Sequence, residues 1–298
     1  TGAGNTTGYT FTWLQSNGTA VIPGSGGAAT IAVPLAAGNY FVQATNTTTN
    51  CKSPVTPFTI NDTHINPAVT AATTINNTNC TGVTPNGSIT INIGGVAPAA
   101  GQFNIEWFEG NGTTTALGTT VGSVTGVSNI TAQGLSAGTY TVRVADIVTP
   151  NNGCSAIATF TISNTPAVIT VDNADITINH QSNCSPANGS AMVNEVTVNG
   201  AGAGNTTGYT FTWFQSNGTT VVPGSGNAAT IGVPLAAGSY FVQTTNTLTN
   251  CKSAITAFTI NDTHVNPVVA LSASVDNTHC SGVVPNGSIT IEINGGAA

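Results

Sequence analysis

The stretch PLAAGNYFVQATN, residues 34–46, returns as GLSAGTYTVRVAD at 134–146 and as PLAAGSYFVQTTN at 234–246. Within it Tyr40, Val42 and Ala44 alternate with Phe41, Gln43 and Thr45, and Tyr140, Val142 and Val144 alternate in the same way. Alternation with period two marks a β-strand with one buried face. A strand written three times about 100 residues apart points to a tandem array of similar domains.

Other markers keep the same step. Trp13, Trp107 and Trp213 occupy one position in three copies, as do Cys51, Cys154 and Cys251. A longer period lies on top, because residues 2–98 resemble 202–298 at a shift of 200. Two repeat types, A and B, therefore alternate. The expected domains are 1–66 (type A, first strands missing), 67–166 (type B), 167–266 (type A) and 267–298, the start of a further type B domain. Thr1 falls inside a repeat, so the sequence predicts a native chain that continues past both ends.

Composition narrows the class. Charged residues make up 4% of the 298 residues and the net charge is −7, against roughly 25% charged in ordinary soluble proteins. A basic footprint for nucleic acid is missing. No apolar run reaches the roughly 20 residues that a membrane-spanning helix needs. Asn, Thr, Ser and Gly must supply solubility.

Each copy reads as an immunoglobulin-like β-sandwich of about 100 residues. Leu-x-Ala-Gly-x-Tyr before the repeated strand resembles a tyrosine corner, with Tyr40, Tyr140 and Tyr240 in the corner position. Tyr9, Phe11 and Trp13 alternate on one face, as do Phe103, Ile105, Trp107 and Tyr209, Phe211, Trp213. This fits strand C, whose Trp fills the sandwich core. Ile89, Ile91 and Ile93 read as strand B, and Phe58–Ile60 with its copies as strand G. The alternation slips at Asn194–Glu195 in GSAMVNEVTVNG, which suggests a β-bulge. Proline-bearing joints at 62–69, 163–168 and 262–269 are short, which implies a rod.

The six cysteines lie in turn contexts, without the CxxC spacing of zinc sites. Repeated cysteines in small β domains favour disulfides and an oxidising, extracellular setting. Each full repeat owns one cysteine before strand B and one in the F–G turn. The expected pairs close within domains, Cys80 with Cys154 and Cys184 with Cys251. The rival scheme pairs Cys51–Cys80, Cys154–Cys184 and Cys251–Cys280 across the joints, at spacings of 29, 30 and 29 residues.

The order of motifs in each unit is Cys, NGSITI, Gly-Gly or Asn-Gly, the aromatic-x-aromatic-x-Trp strand, L-x-AG-x-Y-x-V, a second Cys and a final FTI. This order resembles the SprB-type repeat of giant cell-surface adhesins in gliding Bacteroidota. The resemblance implies export by the type IX secretion system and service as a mobile adhesin or surface filament, in some predators one that catches prey. Turn acids frequent in that family are scarce here, so the resemblance does not carry calcium-dependent rigidity over to this chain.

Chemistry-bearing residues are few. His64 and His264 follow Asp62 and Asp262, one imidazole and one carboxylate each, too few for a metal site. Glu106 and Glu109 have non-acidic counterparts at Thr12 and Gln15, which reads as a solvated face. His279 and Cys280 are adjacent, so on a strand they point to opposite faces. The sequence thus predicts no catalysis, no cofactor and no metal. Its expected partners are further copies packed side by side, since Lys52, Arg143 and Lys252 are the only bases and edge strands are normally protected by charge. A glycan- or ligand-binding repeat is the alternative role.

Overall fold

The computed structural model describes residues 4–99, 101–118, 129–148, 150–202 and 204–294. The outer tips of the first and last expected domains, residues 1–3 and 295–298, lie outside the described residues. The chain is all-β, built from small antiparallel sheets. It divides into two compact units. One comprises Thr1–Ala68 with Gly101–Phe103 and Ala145–Ala156, the other Val69–Ala100, Asn104–Val144 and Ile157–Ala298.

The first repeat contributes β1 (Tyr9–Leu14), β2 (Gly38–Asn46) and β3 (Thr56–Ile60), in the order β1-β2-β3. The second is a complete two-layer sandwich. Strands β4 (Val69–Ile75), β5 (Gly87–Ile93) and β7 (Thr131–Leu135) form one sheet, and β6 (Phe103–Glu109), β8 (Gly138–Asp146) and β9 (Ser155–Ile162) form the other. These are the A-B-E and C-F-G sheets of an immunoglobulin-like domain. Alternation does what the sequence pattern demands. Ile89, Ile91 and Ile93 on β5 and Tyr140, Val142 and Val144 on β8 are all buried.

The third repeat carries β10 (Ile169–Thr170), a 3-10 turn at Asn173–Asp175, β11 (Ile176–Asn179), β12 (Ser190–Val193), β13 (Thr197–Val198), β14 (Ala201–Gly202), β15 (Tyr209–Phe214), β16 (Gly238–Asn246) and β17 (Thr256–Ile260). Its core joins Trp213, Phe211, Val242, Phe258 and Ile260 to Ile176, Val193 and Val196. Trp213 meets Phe258 edge-on at 5.7 Å, a favoured aromatic geometry. A hairpin of β18 (Val268–Val275) and β19 (Ser288–Asn294) follows.

The slip at Asn194–Glu195 is not the bulge expected from the sequence. β12 ends at Val193 on β11, and the chain re-enters a different sheet as β13 between β10 and β14. Val193 and Val196 are both buried. Three residues from one inward side chain to the next break the period of two, so the strand changes sheet. True register shifts occur in β4 at Ala71/Thr73 and in β18 at Leu271/Ala273.

The three tryptophans form a graded series. Trp213 and Trp107 are 0% and 3% exposed, whereas Trp13 is half-buried. Trp213→Ala is expected to lower stability by about 3–5 kcal/mol, the range for truncating a buried aromatic. Trp13→Ala should cost distinctly less. Urea unfolding of the two variants checks the order.

Candidate functional site: a cross-linked joint

The A–B turn of the second repeat, between β4 and β5, is organised by Asn77. Its backbone N–H donates to the Ser163 carbonyl at 3.0 Å, and its carbonyl accepts from Thr165 N at 2.8 Å. Its side-chain Nδ2 reaches both Asn79 O and Asn164 Oδ1 at 2.9 Å, and its Oδ1 accepts from Asn86 N at 3.0 Å. A buried amide whose donors and acceptor are hydrogen-bonded has its desolvation offset and locks the turn. The A–B turn is thereby fixed to the end of β9.

The F–G turn of the third repeat, between β16 and β17, is built differently. Asn246 Oδ1 accepts from Leu248 N and Thr249 N, both at 3.0 Å, an Asx turn. Asn250 then takes the left-handed conformation at φ 56°, which Asn tolerates through its short polar side chain. This directs Cys251 inward, where it is 2% exposed.

The two turns meet. Cys80 N donates to Thr249 O at 2.8 Å, and Asn250 Nδ2 donates to Thr81 O at 2.5 Å. Cys80 and Cys251 form a disulfide with a Cα–Cα distance of 5.0 Å, 171 residues apart in sequence. The second and third repeats are therefore covalently joined.

This overturns the expected pairing. Cys80 is not bonded to Cys154, nor Cys184 to Cys251. Among the described residues Cys51, Cys154, Cys184 and Cys280 are free thiols. The reason is strand length. Within the second repeat the A–B turn binds the end of β9 at Ser163 and the F–G turn precedes its start at Ser155. Eight residues of strand at about 3.3 Å each separate the two turns by roughly 26 Å, whereas a disulfide tolerates about 7 Å between Cα atoms. The rival scheme fails too, since Cys80 bonds neither Cys51 nor any other cysteine than Cys251.

The remaining predicted residues take these places. Tyr40, Tyr140 and Tyr240 each donate from the hydroxyl to a backbone carbonyl four residues upstream, at Ala36, Ser136 and Ala236. Trp13, Trp107 and Trp213 donate through Nε1 to Ala28, Asn129 and Ala228 carbonyls. Glu106 pairs with Arg143 at 2.5 Å, and the guanidinium lies over the Phe108 ring. His64 and His264 bond Asp62 and Asp262 through Nδ1. Among the described residues no three His, Cys, Asp or Glu side chains gather as a metal cluster.

The fold and the joint define a class, tandem immunoglobulin-like β-sandwiches. No family model matches the chain, and no curated protein matches it. Solved structures similar to it include three N-terminal domains of the Highly Immunogenic Outer Capsid protein of bacteriophage RB49, at 15% identity over 88% of this chain and 90% of that one, with a TM-score of 0.29. EC22-24 of mouse cadherin-23 align at 13% identity over 86% of each chain, with a TM-score of 0.25. Immunoglobulin domains 1-4 of Sidekick-1 align at 13% identity over 90% and 69%, with a TM-score of 0.20.

Two outcomes follow from the joint's chemistry. Gly82 lies at φ +98°, and a Cβ there would sit 2.6 Å from Asn250 Nδ2. Gly82→Ala should therefore destabilise by about 1–3 kcal/mol and raise the rate at which a reductant opens Cys80–Cys251, read by thiol labelling. Separately, the hydrogen bond from the His264 ring, helped by its backbone N–H, holds the Asp262 carboxyl below its ordinary value. A depressed carboxyl contributes stability in full above its unfolded value and loses it as pH falls through the folded one. NMR titration should place Asp262 below the usual carboxylate range, and His264→Ala should return it there.

Proposed function

We propose that the chain is a load-bearing stalk segment of a repetitive extracellular adhesin or filament, of the SprB type that its motif order resembles. The observation that carries this reading is the Cys80–Cys251 bond between successive repeats. When tension is applied at the two ends, the bond passes force from residue 80 to residue 251. The intervening residues, including all of β5–β16, lie outside the loaded path. The repeats can lose packing under load, yet this length is not paid out.

A disulfide of this kind belongs to an oxidising compartment, which fits a cell-surface location. The neutral, Asn- and Thr-rich faces fit close lateral neighbours, so side-by-side packing of copies is the proposed mode of assembly. The pairs His64–Asp62, Arg143–Glu106 and His264–Asp262 among the described residues are simple two-membered contacts, which fits a structural role.

Single-molecule stretching tests the proposal. The closed loop spans 171 residues, which at about 3.5 Å per residue hides roughly 600 Å of contour length. The oxidised chain should fall short of its full extension by about that amount, and a reductant should release it. Equal extension in both conditions would remove the load-bearing role.

A second reading, ligand binding, rests on one observation. The same shallow cleft recurs in both type A repeats, lined by Gln15, Pro34 and Tyr40 in the first and by Gln215, Pro234 and Tyr240 in the third. A glycan array probed with the whole chain separates the readings: saturable binding would favour this one.

A further inference from the structure

The Cys80–Cys251 bond joins an A–B turn to the F–G turn of the following repeat, and the same two turns are built again wherever the other cysteines lie. In the A–B turns, the N–H groups of Thr78, Ser182 and Thr278 donate to the Oδ1 atoms of Asn86, Asn188 and Asn286 at 2.8, 2.9 and 2.9 Å. The same asparagines return Nδ2 to the hydroxyls of Thr78, Ser182 and Thr278. Cys80, Cys184 and Cys280 each follow two residues later. In the F–G turns, the N–H groups of Asn46, Asp146 and Asn246 donate to the carbonyls of Cys51, Cys154 and Cys251 at 2.9, 2.8 and 2.8 Å. Three cysteines thus stand in one turn geometry and three in the other.

Two of the free thiols already lie at joints. Cys184 Sγ contacts Asn266 Oδ1, in the segment that leads out of the third repeat, at 3.7 Å. Asn151, in the F–G turn with Cys154, accepts from Ile65 N at the end of the first repeat. Extended from the single Cys80–Cys251 bond to the other turns, the pattern pairs an A–B cysteine with the F–G cysteine of the following repeat, and an F–G cysteine with the A–B cysteine of the preceding one. For Cys51, Cys154, Cys184 and Cys280 that position falls on no residue of these 298. The rule therefore accounts for all six cysteines, paired and unpaired.

We propose that Cys51, Cys154, Cys184 and Cys280 are half-rungs of a disulfide ladder that bonds the A–B turn of every repeat to the F–G turn of the next. This rests on the tandem-repeat reading, and not on the chain being an adhesin. Each rung forms by thiol–disulfide exchange with a small-molecule disulfide or an oxidised dithiol carrier. Two cysteine thiols give up two protons and two electrons, one S–S bond forms, and the oxidant's S–S bond is reduced to two thiols.

The ladder has a topological consequence. One covalent path runs through residues 51–80, crosses to 251 and continues through 251–280. A second enters at Cys154, runs to Cys184 and crosses onward. The stretches between crossings are the segments 51–80, 154–184 and 251–280, spacings of 29, 30 and 29 that each hold a G strand, a joint and an A strand, so in the ladder near-constant spacing belongs to the load path and not to pairing across the joint. Every full repeat lends its G strand and A strand to different paths, and a backbone break in one leaves the other intact.

Two samples test this. The first is the chain itself, oxidised with oxidised glutathione, alkylated, digested without reduction and mapped. The second is the chain extended at its C-terminus by a further copy of residues 99–298. In the extended chain, Cys184 should bond the added copy of Cys154, and Cys280 the added copy of Cys251. If the single chain also cross-links, joining Cys184 or Cys280 of one molecule to Cys51 or Cys154 of another, a second copy can serve as the neighbour. If it stays monomeric while the extended chain forms its bonds, rungs form only between repeats of one polypeptide. Cys184 and Cys280 remaining fully alkylatable in the extended chain, or bonds within a repeat or of the Cys154–Cys184 kind, would overturn the ladder.

Discussion

A β-strand that crosses a sandwich cannot bring its two ends together, and this constraint organises the molecule. β9 holds the F–G turn at one end and, through Asn77 and Ser163, the A–B turn at the other. Each full repeat therefore presents one cysteine-bearing turn at each end. The bond between Cys80 and Cys251 follows as soon as two repeats stand in sequence. Hydrogen bonds from Cys80 N and Asn250 Nδ2 hold the two turns in register. In the chain-entropy view, closing a loop of this length stabilises by about 5 kcal/mol, more than any one hydrogen bond at the joint contributes.

Polar order here comes from neutral side chains. Asn77, Asn246 and Asn250 shape the joint by donating and accepting at short range. Neutral groups avoid the desolvation cost that buried charge would bring, and amide contacts weaken little with salt because there is no ion pair to screen. The ion pairs present, such as Arg143 with Glu106, sit on partly exposed faces where such pairs contribute little.

Much of the fold was legible because period-two alternation over a hundred-residue repeat leaves little choice of architecture. Trp107 and Trp213 are buried, and the Tyr140 and Tyr240 hydroxyls donate to backbone carbonyls four residues upstream. The disulfide was not legible in the same way. Sequence shows which turn each cysteine occupies, but pairing depends on which end of the sandwich that turn reaches, and spacing alone does not carry that information. A signal was nonetheless present: the cysteines alternate strictly between A–B and F–G turns, so length of strand G could have excluded the within-repeat pair. The switch of sheet after Val193 was missed for a related reason. A broken alternation marks the place of an irregularity without saying whether the strand bulges or leaves its sheet.

Burial in this chain is a property of the neighbour and not of the residue. Phe58 and Phe258 occupy the same position in type A repeats, yet they are 51% and 6% exposed, and Ile289 is 74% exposed where Ile89 is fully buried. The difference is the opposite layer. Phe258 shares a core with Ile176, Val193 and Val196 from the segment that precedes its sheet, and Ile89 lies in the complete sandwich of β4–β9. Apolar surface of this kind stabilises only when covered, at about 25 cal/mol per Å². One sheet thus contributes little by itself, and the stability of each repeat comes from pairing an A–B layer with a C–F–G layer. The cysteines sit in the turns at the two ends of that pair of layers, so the covalent links begin where the packing of one repeat stops.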